Sequence, residues 1–528
     1  MKLKKGTLLL VVFSMLATGC FGPGPTPVEK DNFDIITDLD EPKEIHTAAQ
    51  KEYLSYAGDY HDIPENLYPN GTSHLSDPLS VNLEWDYEVP SGKELDKYSV
   101  IFGQNEDLSD GYEVFGTQEG NIDLYNVFLG TNYFKIVANF TDGTEEVSNT
   151  RTFKVDETYP RNLAIGGMTN NRDLGGRVLE DGGKIKQGLV YRTSGFKFDY
   201  STEITDAGRE VMLGHMKVKT EINVADGNSY NLSLPGTTLI NTYMDYDQVG
   251  NNSLNHFTRN AESVKDFFEI VADENNYPVF FHCRIGTDRT GLCAILLNGL
   301  LGVSLNEIYQ DYLFSNFGKI GEKRYIGSKA GQDDISIYIS FINSLPGKTF
   351  KNKVYNALLA IGLAPETLNA VINNLTEGTP AQNNEAGQIL APGQDLLPET
   401  ATLVTTPSAD RNHPDNYYTL NSTSKAVRYT FDAEQAFTGV VVAYLGKNDS
   451  SKTKKIGNAV TLTVNNNPIT IIDRTYHDAG MGYCGSRTNY FPVVLSEVNF
   501  IAGSNTVKIN GTAEAFNIGG IYIFDKAR

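Results

Sequence analysis

The sequence predicts a multidomain protein in which a central α/β domain lies between an N-terminal β-sandwich and a C-terminal β-sandwich or jelly-roll. The length of 528 residues corresponds to about three or four domains, because a domain usually has roughly 100–200 residues. A hydrophobic fraction of 40% is sufficient for ordinary cores, and 49 glycines beside 29 tyrosines and 26 phenylalanines favour β-rich modules with many turns. Short alternating apolar runs on both sides of a region with helical periodicity place the α/β domain in the middle.

The charge balance and the cysteines limit the partners and cofactors. The chain has 44 Lys and Arg against 65 Asp and Glu, a net charge of −21, which argues against nonspecific binding to nucleic acid or to an anionic membrane surface. One local basic pocket is still compatible with a phosphorylated substrate. The four cysteines are too scattered for a disulfide framework or a zinc site. We therefore expect no nucleic-acid partner, no metal and no cofactor.

The amino terminus has the pattern of an export signal. Residues 1–20 combine three lysines with an apolar run of about ten residues, which is too short to span a bilayer. Residues 17–20 (ATGC) resemble the lipobox of bacterial lipoproteins, and the resemblance implies cleavage before Cys20 and lipidation of this cysteine. A plain secretory signal is the alternative. With the lipid, we expect the protein to be anchored on the extracellular face of the bacterial cell membrane.

The next two segments differ in composition. Residues 21–76 are polar and interrupted by prolines, and we interpret them as a linker with marginal structure. Over residues 77–156, short alternating runs separated by Gly-, Asn- and Asp-rich turns predict a small antiparallel sandwich. Trp85 on an early strand and the later Tyr133 resemble a fibronectin type III module. We expect Trp85 to lie in the core of that sandwich.

The C-terminal part is predicted to be a second β unit. Residues 378–402 have low hydrophobicity and many Gly, Pro, Asn and Gln residues, which indicates a linker. Residues 403–528 return to β periodicity, as is typical of a sandwich or jelly-roll. Their end, with residues 502–509 before an apolar strand at 521–524, resembles a carbohydrate-binding module of the galactose-binding type. The resemblance implies a possible glycan ligand, and a sandwich that only acts as a spacer is the alternative.

The most informative chemistry lies at residues 282–291 (HCRIGTDRTG), inside the α/β region at 159–377. An apolar run predicted to be a buried strand leads into this segment, and an apolar helix follows it. A loop between such a strand and a helix N-terminus directs backbone N–H groups inward and binds anions such as phosphate. Arg289 can grip two phosphate oxygens, and the same positive field favours the thiolate of Cys283. One loop is therefore expected to hold both a nucleophile and its target.

Cys283 and Arg289 match the Cys-x5-Arg signature of the protein-tyrosine phosphatase superfamily. The resemblance implies that Cys283 attacks phosphorus to form a cysteinyl-phosphate, which water then releases, while Arg289 holds the equatorial oxygens. It also implies that the hydroxyl of Thr290 hydrogen-bonds the sulfur and that His282 orients the loop. The remaining residues of the expected phosphate-binding loop are Arg284, Ile285, Gly286 and Thr287.

A second set of motifs narrows the resemblance. Residues 171–176 (NRDLGG) and 188–195 (GLVYRTSG) resemble the start of the bacterial tyrosine/lipid phosphatase family, and residues 311–316 (DYLFSN) its carboxyl part. The resemblance covers most of the α/β region. We expect Arg172 and Asp173 to brace the first strand beneath the active-site loop.

The sequence leaves the general acid open. The leaving oxygen needs a proton from a nearby carboxylic acid. In this subfamily the aspartate inside the loop, here Asp288, is the expected acid. Ordinary tyrosine phosphatases use an aspartate upstream of the cysteine, and Asp245 and Asp247 are the candidates of that kind.

Two departures from the family bear on the substrate and on the loop. Thr287 stands where members commonly carry a lysine that is linked with activity on phosphoinositides, so a strongly anionic lipid headgroup is less expected. Asn223-Val224-Ala225 replaces an Asp-Leu-Arg motif, so that a supporting ion pair is expected to be missing.

We therefore expect a surface-anchored, cysteine-dependent phosphatase that acts on phosphotyrosine-like or other small or protein-borne phosphate monoesters. The alternatives are a catalytically idle phosphatase fold in a glycan-binding lipoprotein and an inositol polyphosphate phosphatase.

Overall fold

The computed structural model describes residues 32–197, 203–225, 233–244, 257, 260–327, 335–378, 397–404, 417–447, 454–475 and 489–526. Two β units flank a central unit in which helices cover a mixed sheet. In the ranges given, every helix is too short or too polar to cross a membrane. Cys20, Asp245, Asp247 and residues 379–396, for which the sequence predicts roles, lie outside the described residues.

The N-terminal β unit consists of two antiparallel sheets packed around Trp85. Apolar residues alternate with exposed ones along the strand Val81–Tyr87, so that one face of this strand is buried. Trp85 is 2% exposed, and its ring packs edge-on against Tyr98. The strands of the first sheet are Phe33–Ile35, Val81–Tyr87 and Asn121–Leu124. The strands of the second sheet are Tyr112–Phe115, Leu95–Gly103, Gly130–Phe140, Glu145–Val147 and Arg151–Val155.

Residues 32–76 are structured, and the prediction of a poorly structured linker is wrong for them. They contain the helix Ala48–Leu54, which begins at a capping box, and the short 3-10 turns Tyr60–Asp62 and Glu65–Leu67. Tyr53 is fully buried in the core of the central unit, and its hydroxyl donates a 2.8 Å hydrogen bond to the carbonyl oxygen of Gln310. These contacts are made by single aromatic residues that stand among polar ones. Residues spaced in this way form no regular apolar repeat, so the sequence gives no signal for the packing.

The central unit is a six-stranded sheet that places residues 283–288 near its middle. Four neighbouring strands run parallel, and two more are added at one edge by antiparallel pairing. In sheet order they are Thr238–Asn241, Thr220–Asn223, Val279–His282, Val190–Thr193, Arg172–Asp173 and Arg161–Asn162. A further strand pair is formed by Lys184–Ile185 and Thr376–Glu377. The carboxyl ends of parallel strands share one edge, and this is the edge where such sheets bind ligands.

Helices cover the central sheet. The helix Arg289–Leu301 starts at the active-site loop and is buried along its whole length, which explains its apolar composition on every face. Gly302, with φ at 99°, ends this helix in the left-handed region. The other helices are Asp206–Glu210, Ala261–Ala272, Leu305–Phe314, Ser336–Asn343, Phe350–Ala360 and Pro365–Leu375. A π-helical turn, Val211–His215, continues the first of these.

The C-terminal unit consists of two five-stranded antiparallel sheets, and it packs directly on the central unit. In the strand Phe437–Lys447, Val441, Ala443 and Leu445 face the core between the two sheets. The intervening Val440, Val442 and Tyr444 belong to the core of the central unit. One sheet consists of Thr402–Val404, Tyr417–Leu420, Phe516–Asp525, Phe437–Lys447 and Asn489–Phe500. The other consists of Leu397–Pro398, Ala426–Ala433, Gly503–Gly511, Val460–Val464 and Asn467–Ile469.

A buried histidine lies where the N-terminal β unit meets the central unit. The Nε2 atom of His215 is 3.0 Å from the carbonyl oxygen of Asn126, and its ring contacts Phe102 and Tyr112. Arg161, which is also buried, donates to the same carbonyl oxygen at 2.7 Å. The two units therefore share a buried polar contact as well as apolar ones.

We expect this contact to make the protein less stable in acid. Burial, and then the positive charge of Arg161, lower the pKa of His215 from 6.5 to about 3. Neutral His215 therefore contributes stability that is fully present above about pH 6.5 and is lost as the pH falls towards 3, by about 1.4 kcal/mol per pH unit. Between pH 7 and pH 5, the free energy of unfolding in urea should fall by about 2 kcal/mol more for the wild type than for His215→Gln. Equal losses would show that another group is responsible.

Candidate active site

The loop at residues 283–288 joins the central strand Val279–His282 to the helix Arg289–Leu301. Gly286 makes the tight turn of this loop with φ at 73°. A Cβ atom at this position would lie 2.5 Å from the carbonyl oxygen of Thr193, so only glycine fits without a shift of the backbone. Cys283 is 3% exposed at the start of the loop. The sequence-predicted nucleophile thus lies at the carboxyl edge of the sheet, beside a helix N-terminus.

The surroundings of Cys283 favour its thiolate. Burial raises the pKa of the thiol, but the positive charge of Arg289 and the neighbouring hydroxyl and backbone N–H groups of Thr290 outweigh burial and the charge of Asp288. The pKa of Cys283 is therefore lowered from its ordinary value. Cys293, in the helix that follows, shows the opposite effect, because burial raises its pKa well above the usual range. Of these two cysteines, only Cys283 is suited to act as a nucleophile.

The residues of the predicted phosphate-binding loop differ in their burial and in their contacts. Arg289 is 7% exposed, and its Nη1 atom donates to the carbonyl oxygen of Met244 at 3.3 Å. Arg284 is exposed, whereas Ile285 is partly buried. Thr287 is fully buried, and its hydroxyl oxygen accepts a 3.3 Å hydrogen bond from the side chain of Asn170. The side chain at the position where the family commonly carries lysine therefore faces the protein interior.

His282 is held by a carboxylate that the sequence analysis did not identify. Its Nε2 atom is 3.0 Å from Oε1 of Glu221, and its Nδ1 atom is 3.0 Å from the carbonyl oxygen of Cys283. Burial lowers the pKa of His282, but the hydrogen bond and the charge of Glu221 raise it above its ordinary value. The signal in the sequence was a charged residue within the buried strand Thr220–Asn223. Such a residue needs a partner in the core.

A network of buried charges supports the loop from below. Nε of Arg172 donates to Asp311 at 2.8 Å, and Nη1 of Arg192 donates to the same carboxylate at 2.6 Å. Nη2 of Arg192 also donates to the carbonyl oxygen of Gly286 at 2.6 Å. Asn170, which Arg172 contacts, donates to the same oxygen at 3.0 Å. The carbonyl oxygen at the turn of the loop thus receives two hydrogen bonds from this network.

These contacts bear on two expectations. Arg172 lies beneath the loop, whereas the carboxylate of Asp173 pairs with Arg161 of the adjacent strand at 2.7 Å and accepts from the backbone N–H of Gly188. The sequence predicts that a supporting ion pair is missing at residues 223–225, and the structure has a buried ion pair between Arg192 and Asp311 beneath the loop.

Asp288 is the candidate acid that the structure describes. Its side chain is 12% exposed, and its carboxylate contacts the guanidinium group of Arg324 at 3.2 Å. Arg324 comes from the segment after the helix Leu305–Phe314, and the sequence analysis did not identify it. Asp245 and Asp247 lie outside the described residues. In the part of the chain that the structure describes, no three His, Cys, Asp or Glu side chains are grouped so that they could hold a metal ion.

The central unit is similar to known proteins. Residues 163–378 match the model of the tyrosine phosphatase family. This match contains the active-site loop and the charges beneath it. The phosphatase-family domain therefore corresponds to the central unit, and the two β units lie outside the match.

Several proteins named as tyrosine phosphatases are similar in sequence to part of this chain. Two are named "Putative tyrosine-protein phosphatase". The one from Cupriavidus necator is 24% identical over 183 residues, which are 29% of this chain and 63% of that protein. The one from Meyerozyma guilliermondii is 29% identical over 113 residues, which are 21% of this chain and 52% of that protein. A tyrosine-protein phosphatase from Nostoc commune is 35% identical over 69 residues, 13% of this chain and 24% of that protein. The chain thus spans less than two thirds of each of these relatives.

Solved structures show more distant similarity. The core catalytic domain of the PP-IP phosphatase SIW14 from S. cerevisiae is 18% identical, with a TM-score of 0.21, and the alignment covers 31% of this chain and 81% of that one. A family 35 carbohydrate-binding module from Clostridium thermocellum is 15% identical, with a TM-score of 0.19, and the alignment covers 26% of this chain and 97% of that one.

Proposed function

We propose that the protein is a cysteine-dependent phosphatase that hydrolyses phosphate monoesters of the phosphotyrosine type. The observation that carries this proposal is the thiol of Cys283, whose pKa is lowered by Arg289 in a loop at a helix N-terminus. This site combines an activated nucleophile with groups that bind the anion it attacks. The names of the relatives support the same reaction class.

The reaction has two steps in this proposal. The thiolate of Cys283 attacks phosphorus, an S–P bond forms, and the P–O bond to the leaving group breaks while Asp288 gives its proton to the leaving oxygen. A water molecule then attacks phosphorus and gives a proton to the Asp288 carboxylate. The S–P bond breaks, which restores the thiolate and releases inorganic phosphate. Arg289 and the backbone N–H groups of the loop hold the equatorial oxygens in both steps.

The test uses the full chain, purified in detergent and kept reduced, with p-nitrophenyl phosphate in the presence of a chelator. We expect phosphate release without added metal and, after rapid acid quenching, a phosphate group on Cys283 detected by mass spectrometry. A second assay compares kcat/KM for a phosphotyrosine peptide with that for inositol hexakisphosphate, and a higher value for the peptide is expected. A folded chain that releases no phosphate from any of these substrates, but binds on a glycan array, would contradict the proposal. That result would favour the idle phosphatase fold in a glycan-binding protein.

We also propose that a lipid at Cys20 holds the enzyme on the extracellular face of the bacterial membrane. The support is the residue pattern of positions 1–20. The wild-type chain is expected in the detergent phase after Triton X-114 partition, whereas Cys20→Ser is expected in the aqueous phase. Equal partition of the two chains would contradict the anchor, and it would leave the catalytic proposal unaffected.

A further inference from the structure

The carboxylate of Asp288 is held in a fork by Arg324. Nε of Arg324 lies 3.3 Å from Oδ1 of Asp288, and Nη2 lies 3.3 Å from Oδ2. The two side chains are 6% and 12% exposed. A two-point contact between a planar guanidinium group and a carboxylate fixes the direction of the carboxylate, which a single contact does not do.

Arg324 itself is fixed by its neighbours. Its backbone N–H donates to Oδ1 of Asn316 at 2.7 Å, and its carbonyl oxygen accepts from Nδ2 of the same residue at 3.1 Å. Asn316 is fully buried. The Nη1 atom of Arg324 donates to Glu322 at 2.8 Å. Both the backbone and the guanidinium group of Arg324 therefore have defined partners.

The N-terminal segment holds the loop that carries Arg324. The carbonyl oxygen of Gly71 accepts from the backbone N–H groups of Ile320 and Gly321, both at 2.8 Å. The N–H of Gly71 donates to the carbonyl oxygen of Asn316 at 3.0 Å. Gly71 has φ at 70°, and a Cβ atom there would lie 2.6 Å from the carbonyl oxygen of Glu322. A side chain at position 71 would therefore displace the loop.

We propose that Arg324 is the positioning residue for Asp288 and that the N-terminal segment around Gly71 sets the position of Arg324. The inference rests on the proposed function. Asp288 becomes negatively charged as its proton passes to the leaving oxygen, and the guanidinium group faces that developing charge. In the second step the same fork directs the carboxylate to the water that gives it a proton. Arg324 thus acts through Asp288, without contact to phosphorus.

The test compares two leaving groups. Phenyl phosphate has a poor leaving group that needs the proton, whereas p-nitrophenolate leaves with little help. For kcat/KM, which reports the step up to the phosphorylated cysteine, Arg324→Met is expected to lower the value for phenyl phosphate at least about ten-fold more than that for p-nitrophenyl phosphate. This is a part of the roughly 10²–10⁴-fold that a general acid contributes. Arg324→Lys is expected to restore part of the loss, and Asp288→Asn combined with Arg324→Met should lose no more than Asp288→Asn alone.

Matched variants separate positioning from general damage. Arg428→Met makes the same change in the C-terminal unit, where Arg428 lies 3.8 Å from Glu399, and both substrates should react as in the wild type. Gly71→Ala is expected to cause the same selective loss as Arg324→Met. Gly92→Ala, at another glycine with positive φ but with nothing near its Cβ position, should not.

Equal losses with both substrates in Arg324→Met and Gly71→Ala would overturn the inference, because a structural role affects both leaving groups alike. That outcome would leave the proposed function standing. If Cys283→Ser also turned over substrate, the proposed function itself would fail.

Discussion

Serine in place of Cys283 is expected to lower kcat for phosphate monoesters about 10⁴-fold or more, since loss of a catalytic nucleophile has effects of this size or larger. The environment of position 283 lowers the pKa of a thiol, but a serine hydroxyl there remains protonated and attacks phosphorus poorly. The loop and Arg289 stay in place, so the variant should still bind inorganic phosphate. Phosphate release under chelator and isothermal titration with phosphate measure the two quantities separately.

Cys293→Ser is the matched control for this prediction. Cys293 is fully buried in the helix that begins at the loop, and burial raises the pKa of its thiol. We expect this variant to keep kcat within a few-fold of the wild type, although the buried hydroxyl should make it less stable. If Cys283→Ser retained turnover, or if both serine variants lost it equally, Cys283 would not be the nucleophile.

Asp311→Asn is expected to reduce the free energy of unfolding by about 3–5 kcal/mol, which is the usual cost of breaking a buried ion pair. Burial raises the pKa of Asp311, but Arg172 and Arg192 together hold it well below its usual range. The amide would leave two buried guanidinium groups without a countercharge. The carboxylate stabilises the fold above the unfolded pKa of about 3.9, and this contribution is lost as the pH falls through the lowered value. Urea unfolding at pH 7 followed by circular dichroism measures the loss.

Asp181→Asn tests whether this effect is specific to the network. Asp181 pairs with Lys351 at 3.2 Å, and the two side chains are 29% and 15% exposed. An ion pair of this kind contributes at most about 1 kcal/mol. Asp311→Asn should also lower kcat, because Arg192 contacts both Asp311 and the carbonyl oxygen of Gly286. A loss of stability as small as that of Asp181→Asn would mean that the network does not support the fold.

The sequence predicted the centre of the site better than its supports. Cys283, Asp288 and Arg289 lie within a few residues of each other, so the sequence alone places them on one loop. Glu221 and Arg324 reach the same loop from distant segments, and only the fold brings them to it. A linear pattern contains no information on which buried carboxylate pairs with which base.

In the flanking regions, too, the sequence predicted only the structure that has a local pattern. Alternation predicted β-strands on both sides of the central unit, because every second residue of a half-buried strand is apolar. Residues 32–76 have no such pattern, and their few aromatic side chains pack on a surface that belongs to another part of the chain. Tyr53 is an example, since its burial depends on Gln310 and its neighbours.

The strand Phe437–Lys447 contributes side chains to two cores, and this fixes the C-terminal unit on the central unit. Modules joined by a flexible linker search space independently, and their effective concentration depends on linker length. Here alternate side chains of one strand fasten the C-terminal unit to the phosphatase-family domain, so the bearing and distance from that unit to Cys283 are constant. Any ligand that the C-terminal unit bound would therefore lie at one fixed distance from Cys283.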